Sequence, residues 1–217
     1  LILSNNSFKM FDFVILKNLN KLTHLNLKNN KNLELNESSS FNHLESIESL
    51  AIDEKENLQI KLRSFKSLKE LYLSNCSTSI FELDFLRQEN RLIKLDISKK
   101  DGEFLLNRNI KSLDCFKKMK LTFLQELSIN QFKFLKIHSR IFECLPNLKR
   151  LDLCLNEISI IESEAFYNLK HLEYLNLSQN EITNLNSNMF AGLDQLAELE
   201  LGENTINFLD ECQFGNL

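Results

Sequence analysis

The sequence predicts an α/β solenoid, a curved array of short parallel strands joined by return segments. Two observations predict it. The phrase LKRLDLCLNEI at 148–158 returns as LEYLNLSQNEI at 172–182 and as LAELELGENTI at 196–206, a step of 24 residues both times. A fixed period in this range marks a stacked-repeat architecture. The second observation is an independent column. With the repeats aligned on the Asn that ends the phrase, the slot falls at 6, 30, 55, 76, 100, 132, 156, 180 and 204. Five residues past it stand Phe11, Leu35, Ile60, Phe81, Leu105, Ile137, Ile161, Leu185 and Leu209, all apolar in a chain that is 43% hydrophobic overall.

Each part of the repeat follows from its residues. In LxxLxLxxN the LxL pair has period two, so two leucines share one face of a short strand and the residues flanking them face the other way. Successive strands run in one direction, which makes the sheet parallel. Ten past the slot stand Leu16, Ser40, Phe65, Leu86, Ile110, Phe142, Phe166, Phe190 and Phe214. Ser40 departs from that column, and Phe41 beside it fits a one-residue insertion. With the five-past column, these residues close each coil against the leucines. The chain holds 4 Gly and 1 Pro, so its many turns rest on Asn, whose amide replaces a backbone turn partner. The slot residues Asn6, Asn30, Asn156, Asn180 and Asn204 are expected to be buried as a ladder that satisfies neighbouring backbone groups. No coil buries its own core, so stacking supplies the stability.

The phrase LxxLxLxxNxI followed by xxIxxxxFxxL resembles the leucine-rich repeat, and the resemblance runs through essentially all 217 residues. The 24-residue length with Phe ten past the slot is similar to the extracellular type found in Toll-like receptors and small matrix proteoglycans. The resemblance implies a horseshoe with its parallel sheet on the concave face. It also implies recognition as the function, with dimerisation common among such ectodomains. Residues 1–217 read as a single array of about nine repeats. Leu1-Ile2-Leu3 opens within a strand and the chain stops partway through a return segment, so the array is expected to be truncated at both ends. Lys55, Cys76, Lys100 and Phe132 occupy the slot in four successive repeats. In Toll-like receptors of the lipopeptide- and lipopolysaccharide-binding groups the central repeats also lose this Asn, and the resemblance implies altered curvature over 47–132. The 32-residue step from 100 to 132 places about eight extra residues within 101–123, as a convex bulge or a functional loop.

The residues flanking the leucines name the concave surface. Glu70, Lys94, Glu126 and Arg150 alternate in sign on adjacent strands about 4.8 Å apart, as an ion ladder, a solvated charge row or a polar ligand platform. Tyr72 and Tyr174 are the aromatic residues of these columns, and aromatics are common interface anchors. Asp96 and Asp152 add carboxylates, and Glu198 and Glu200 on the last strand lie beside Glu203 with no basic neighbour in frame. Acids outnumber bases there, which favours a basic protein or amine-bearing ligand over nucleic acid. The net charge of −4 points the same way.

No catalytic set is expected. His24, His43, His138 and His171 fall in unrelated frames, so stacking builds no metal site. No Ser/His/Asp set, phosphate loop or paired acid in a pocket is present, and no cofactor is implied. Cys76, Cys115, Cys144, Cys154 and Cys212 are odd in number, which excludes complete internal pairing. Cys154 is placed on the concave face and Cys144 on the convex return, too far apart for a bridge. Asn5, Asn36, Asn75 and Asn176 begin N-glycosylation sequons. Asn36 sits on a return loop, whereas a glycan on Asn176 would cover part of the concave sheet. No run of about 18 apolar residues exists, so a membrane connection would lie outside this chain.

The expected function is a recognition module, as part of the ectodomain of a Toll-like or related innate immune receptor. It would take a protein or microbial ligand on the concave or lateral face, with a receptor dimer as a further contact. A secreted matrix or adaptor protein and an intracellular scaffold are the alternative settings.

Overall fold

The computed structural model of the chain describes residues 1–30, 33–35, 44–53, 65–75, 91–98, 121–186, 188–209, 213–215 and 217. Twelve strands lie among them. They are β1 (Met10–Phe11), β2 (His24–Asn26), β3 (Glu34–Leu35), β4 (Ser49–Asp53), β5 (Glu70–Ser74), β6 (Lys94–Ser98), β7 (Glu126–Asn130), β8 (Lys136–Ile137), β9 (Arg150–Asp152), β10 (Ile160–Ile161), β11 (Tyr174–Asn176) and β12 (Glu198–Glu200). Eight form one parallel sheet in the order β2-β4-β5-β6-β7-β9-β11-β12. Ile2 adds an isolated parallel bridge to Asn26. This is a leucine-rich repeat solenoid, one strand per coil.

The register agrees with the sequence frame at every pair. Glu70 faces Lys94, Lys94 faces Glu126, Glu126 faces Arg150, and Arg150 faces Tyr174. The LxL pairs from Leu25/Leu27 to Leu175/Leu177 are buried on the inner face. The five-past column forms small lateral ladders, with Phe11 beside Leu35 in β1–β3 and Ile137 beside Ile161 in β8–β10. Leu209 of that column is exposed, with no further coil against it among the described residues. The described return segments are built largely of turns, with one 3₁₀ helix at Phe13–Leu16.

Two side-chain stacks run through the coils. Phe142, Phe166, Phe190 and Phe214 lie ring on ring, with centroids 6.2, 6.3 and 6.3 Å apart and planes within 14° of parallel. The Asn stack is the second. Asn180 Nδ2 donates to the carbonyls of Leu177 in its own coil and Leu153 in the preceding one, both at 3.0 Å, and its Oδ1 accepts the Ile158 N–H at 3.0 Å. Asn30, Asn156 and Asn204 make equivalent bonds to their own and the preceding coil. Asn30, Asn156 and Asn180 are buried. Asn6 departs from the expected burial: it is exposed and bonds the carbonyls of Leu3 and Ser4. No coil precedes it in the described structure, so it has none to cross-link.

Where the slot Asn is absent, the strand is longer. The sheet strands of the Asn-bearing coils, β2, β9, β11 and β12, each span 3 residues, whereas β4, β5, β6 and β7 each span 5. The side chain four before the slot explains part of the difference. Asn26, Asp152 and Asn176 each accept the N–H two residues on, at 2.9–3.0 Å, and so turn the chain away from the sheet. Residues 101–120 of the expected insertion, and the slots at 55, 76 and 100, lie outside the described residues.

Candidate recognition surface

The concave sheet collects the charged columns. Six carboxylates (Glu70, Asp96, Glu126, Asp152, Glu198, Glu200) stand against three basic residues (Lys28, Lys94, Arg150) in these columns, besides the buried Asp53. An exposed face of one prevailing sign attracts partners of the other.

Of the ion ladder that is one reading of this column, a single link forms among the described residues. Lys94 Nζ lies 2.7 Å from Glu126 Oε2, and the Glu126 hydrogen bond is the main cause that raises the Lys94 pKa. Glu70 instead accepts the Tyr72 hydroxyl at 3.3 Å. Arg150 turns from Glu126 to the next strand and lays its guanidinium 3.9 Å from the centroid of the Tyr174 ring. A planar guanidinium gains both stacking and cation–π attraction there. Lys28 and Lys94 flank Tyr72 similarly, at 5.5 and 5.6 Å. The two tyrosines named from sequence thus recur as one arrangement: a ring held by a cation, with its hydroxyl on a carboxylate.

Tyr174 donates to Glu200 Oε1 at 3.0 Å. Burial first, and then that bond, push its phenol up to about 12. In an ultraviolet titration one of the three tyrosines is expected to ionise near pH 12. Glu200→Gln removes the negative neighbour and should bring that step down; an unmoved midpoint would contradict the bond. Glu203 is tied elsewhere, to Gln179 Nε2 at 2.9 Å. The three terminal carboxylates therefore do not act as one cluster. Glu198 is exposed.

Between β6 and β11 the surface sinks into an open depression of about 240 Å³, bordered by Lys94, Asp96, Glu126, Ser128, Arg150, Asp152 and Tyr174. Ser128 stands between Asp96 and Asp152 in its column, and its small side chain leaves the surface low there. Burial raises the Asp96 pKa against the nearby charges of Lys28 and Lys94, and Asp152 adds a little to the rise. Sequence reasoning ranked the charged residues and passed over Ser128; the missing signal was its small size between two carboxylates. It also passed over Lys28, which reaches Tyr72 from the third column. Cys154 stands at the edge of this surface, where burial and then Asp152 push its thiol up to about 12. It is expected to resist iodoacetamide at pH 8, since the thiolate is the reactive form.

The sequons divide by burial. Asn5 is exposed, Asn75 is half-buried, and Asn176 is buried with Oδ1 bonded to both the N–H and the hydroxyl of Ser178. Asn36 lies outside the described residues. In a glycosylating host, mass spectrometry is expected to find a glycan on Asn5 and none on Asn176. A filled Asn176 would contradict the packing of that strand. Among the described residues no group of three His, Cys, Asp or Glu could hold a metal ion. None of their helices is long and apolar enough to cross a membrane.

The comparisons agree with this architecture. The leucine rich repeat model matches residues 122–182, 146–206 and 171–217. Among solved structures, the chain is similar to TLR13 in the crystal structure of a TLR13–ssRNA13 complex. The two are 28% identical with a TM-score of 0.76, and the match covers 99% of this chain and 30% of that one. No curated protein matches the chain. With the repeat geometry, these findings show a leucine-rich repeat fold. Among proteins of this fold it is similar to Toll-like receptor ectodomains.

Proposed function

We propose that the chain is the binding part of a Toll-like or related receptor ectodomain on the extracellular side of a membrane, and that its concave sheet contacts a basic protein partner or amine-bearing ligand. The observation that carries this reading is the depression between β6 and β11. Its charged groups are held on a rigid sheet rather than on loops, and carboxylates prevail around it. A pre-set charged surface gives both faster association and selection by charge. The likeness to TLR13 supports the receptor setting. That protein is seen with single-stranded RNA, but the acidic concave columns of this chain oppose a polyanion. The concave residues proposed to bind are Glu70, Tyr72, Lys94, Asp96, Glu126, Arg150, Asp152, Tyr174, Glu198 and Glu200.

Fluorescence anisotropy with a labelled oligolysine and a labelled single-stranded RNA tests the charge argument. The oligolysine is expected to bind and to weaken as salt rises, with no RNA binding at 0.15 M salt, where the screening length is about 8 Å. RNA binding tighter than oligolysine binding would overturn this reading.

A further inference from the structure

The depression is polar on both of its columns, and its charges are incompletely used. Asp96 Oδ1 is buried and has no hydrogen-bond partner. The strand geometry explains why. In the Asn-bearing coils the equivalent Asn26, Asp152 and Asn176 accept an N–H two residues on. In β6 the strand continues flat to Ser98, which pairs with Asn130 of β7, so Asp96 has no such donor. Asp152 accepts the Cys154 N–H at 3.0 Å and, at 3.5 Å, the Asn130 amide, and makes no ion pair among the described residues. Across Ser128 these two carboxylates lie two strands apart, roughly 10 Å between backbones. That spacing suits an ammonium with a carboxylate on each side, beside Lys28 and Lys94, whose charges also act on Asp96.

The neighbouring column offers the opposite charge. Arg150 makes no ion pair among the described residues, and its stacking on Tyr174 fixes the guanidinium plane. Five N–H donors in a planar fork suit a carboxylate. Arg150 and Asp152 are two residues apart on β9 and face the same side. Their backbones are therefore separated by roughly 7 Å. The side chains of an extended segment at i and i+2 have the same separation.

We propose that this depression reads a protein segment carrying a lysine and an acidic residue two apart, in extended form. The lysine ammonium sits between Asp96 and Asp152 above Ser128, and the acidic side chain meets Arg150. This rests on the concave-face reading above and names the chemistry of its partner. It also separates a mixed-charge segment from a purely basic one, which would meet Arg150 with like charge.

The test is a titration of the isotope-labelled chain followed by amide NMR, with acetyl-Lys-Ser-Glu-amide as the probe. Acetyl-Lys-Ser-Gln-amide and the Nε-acetylated peptide are the controls. Saturable shifts are expected at Ser128, Arg150 and Asp152, with each control weaker by about fivefold or more, the effect of losing one favourable charge pair. Asp96→Asn and Arg150→Gln should produce the same losses in the chain. Ser128→Leu fills the notch on the solvent side of the sheet and should abolish the shifts without disturbing the core. Equal binding of all three peptides, or no effect of Ser128→Leu, would overturn the proposal. That result leaves concave binding of oligolysine standing. Loss of oligolysine binding with the tripeptide shifts intact would instead remove the broader reading.

Discussion

Phe166→Ala is expected to destabilise the chain by about 3–5 kcal/mol, the range for removing a fully buried aromatic ring. Phe166 is 0% exposed and stacks on Phe142 at 6.2 Å and Phe190 at 6.3 Å. Its loss opens a cavity at two coil interfaces at once. Stacked repeats derive their stability from such nearest-neighbour terms, so the damage should spread to both neighbouring coils. Hydrogen exchange should therefore accelerate first across 136–193, while β4 and β5 keep their protection. Phe166→Leu, which retains most of the apolar volume, should recover most of the loss. A uniform rise in exchange along the whole chain would show that the coils do not act as linked neighbours.

Asn180→Ala is expected to cost about 3 kcal/mol, the sum of lost hydrogen bonds and one buried N–H left without an acceptor. That N–H belongs to Ile158. The carbonyls of Leu153 and Leu177 retain Asn156 and Asn204, respectively, which limits the damage on the acceptor side. Asn180→Asp separates the two roles of the amide. The carboxylate still accepts from Ile158 but turns an oxygen toward the carbonyls of Leu153, Leu177 and Ser178. Burial and these oxygens disfavour its ionised form, so its folded pKa should rise. The variant should then be least stable at neutral pH and regain stability as pH falls through that raised value. Denaturation at pH 7 and pH 4 checks the sign; equal midpoint shifts at both would contradict the ladder.

The repeat frame was legible because Asn marks five of the nine coils and the apolar columns carry the frame through the other four. Alignment on Asn placed every pairing later seen in the sheet, including Glu126 opposite Arg150 and Tyr174 opposite Glu198. The family match, over 122–217, begins at the last of the four coils whose slot lacks Asn, the one that ends at Phe132. The lengthening of β4–β7 was not legible, because it follows in part from a missing capping contact and not from any residue that favours strand. Side-chain partners in the depression were also hidden. Arg150 can reach Glu126 or Tyr174 from the same backbone position, and such exposed contacts differ by less than about 1 kcal/mol. Orientation at that level depends on the local surface. Likewise, the unpartnered oxygen of Asp96 follows from the path of β6, which sequence spacing alone does not show.

The concave-face account is tested most directly by comparing two double charge reversals of equal size. Asp152→Lys with Glu200→Lys changes the concave sheet, and Glu157→Lys with Glu164→Lys changes the lateral rows, where these acids pair with Lys133 and Arg140. Both variants shift the net charge identically. The account predicts that labelled oligolysine at physiological salt loses affinity for the concave variant and keeps it for the lateral one. Equal losses would mean that net charge alone governs binding, and a larger loss in the lateral variant would move the recognition surface off the concave sheet.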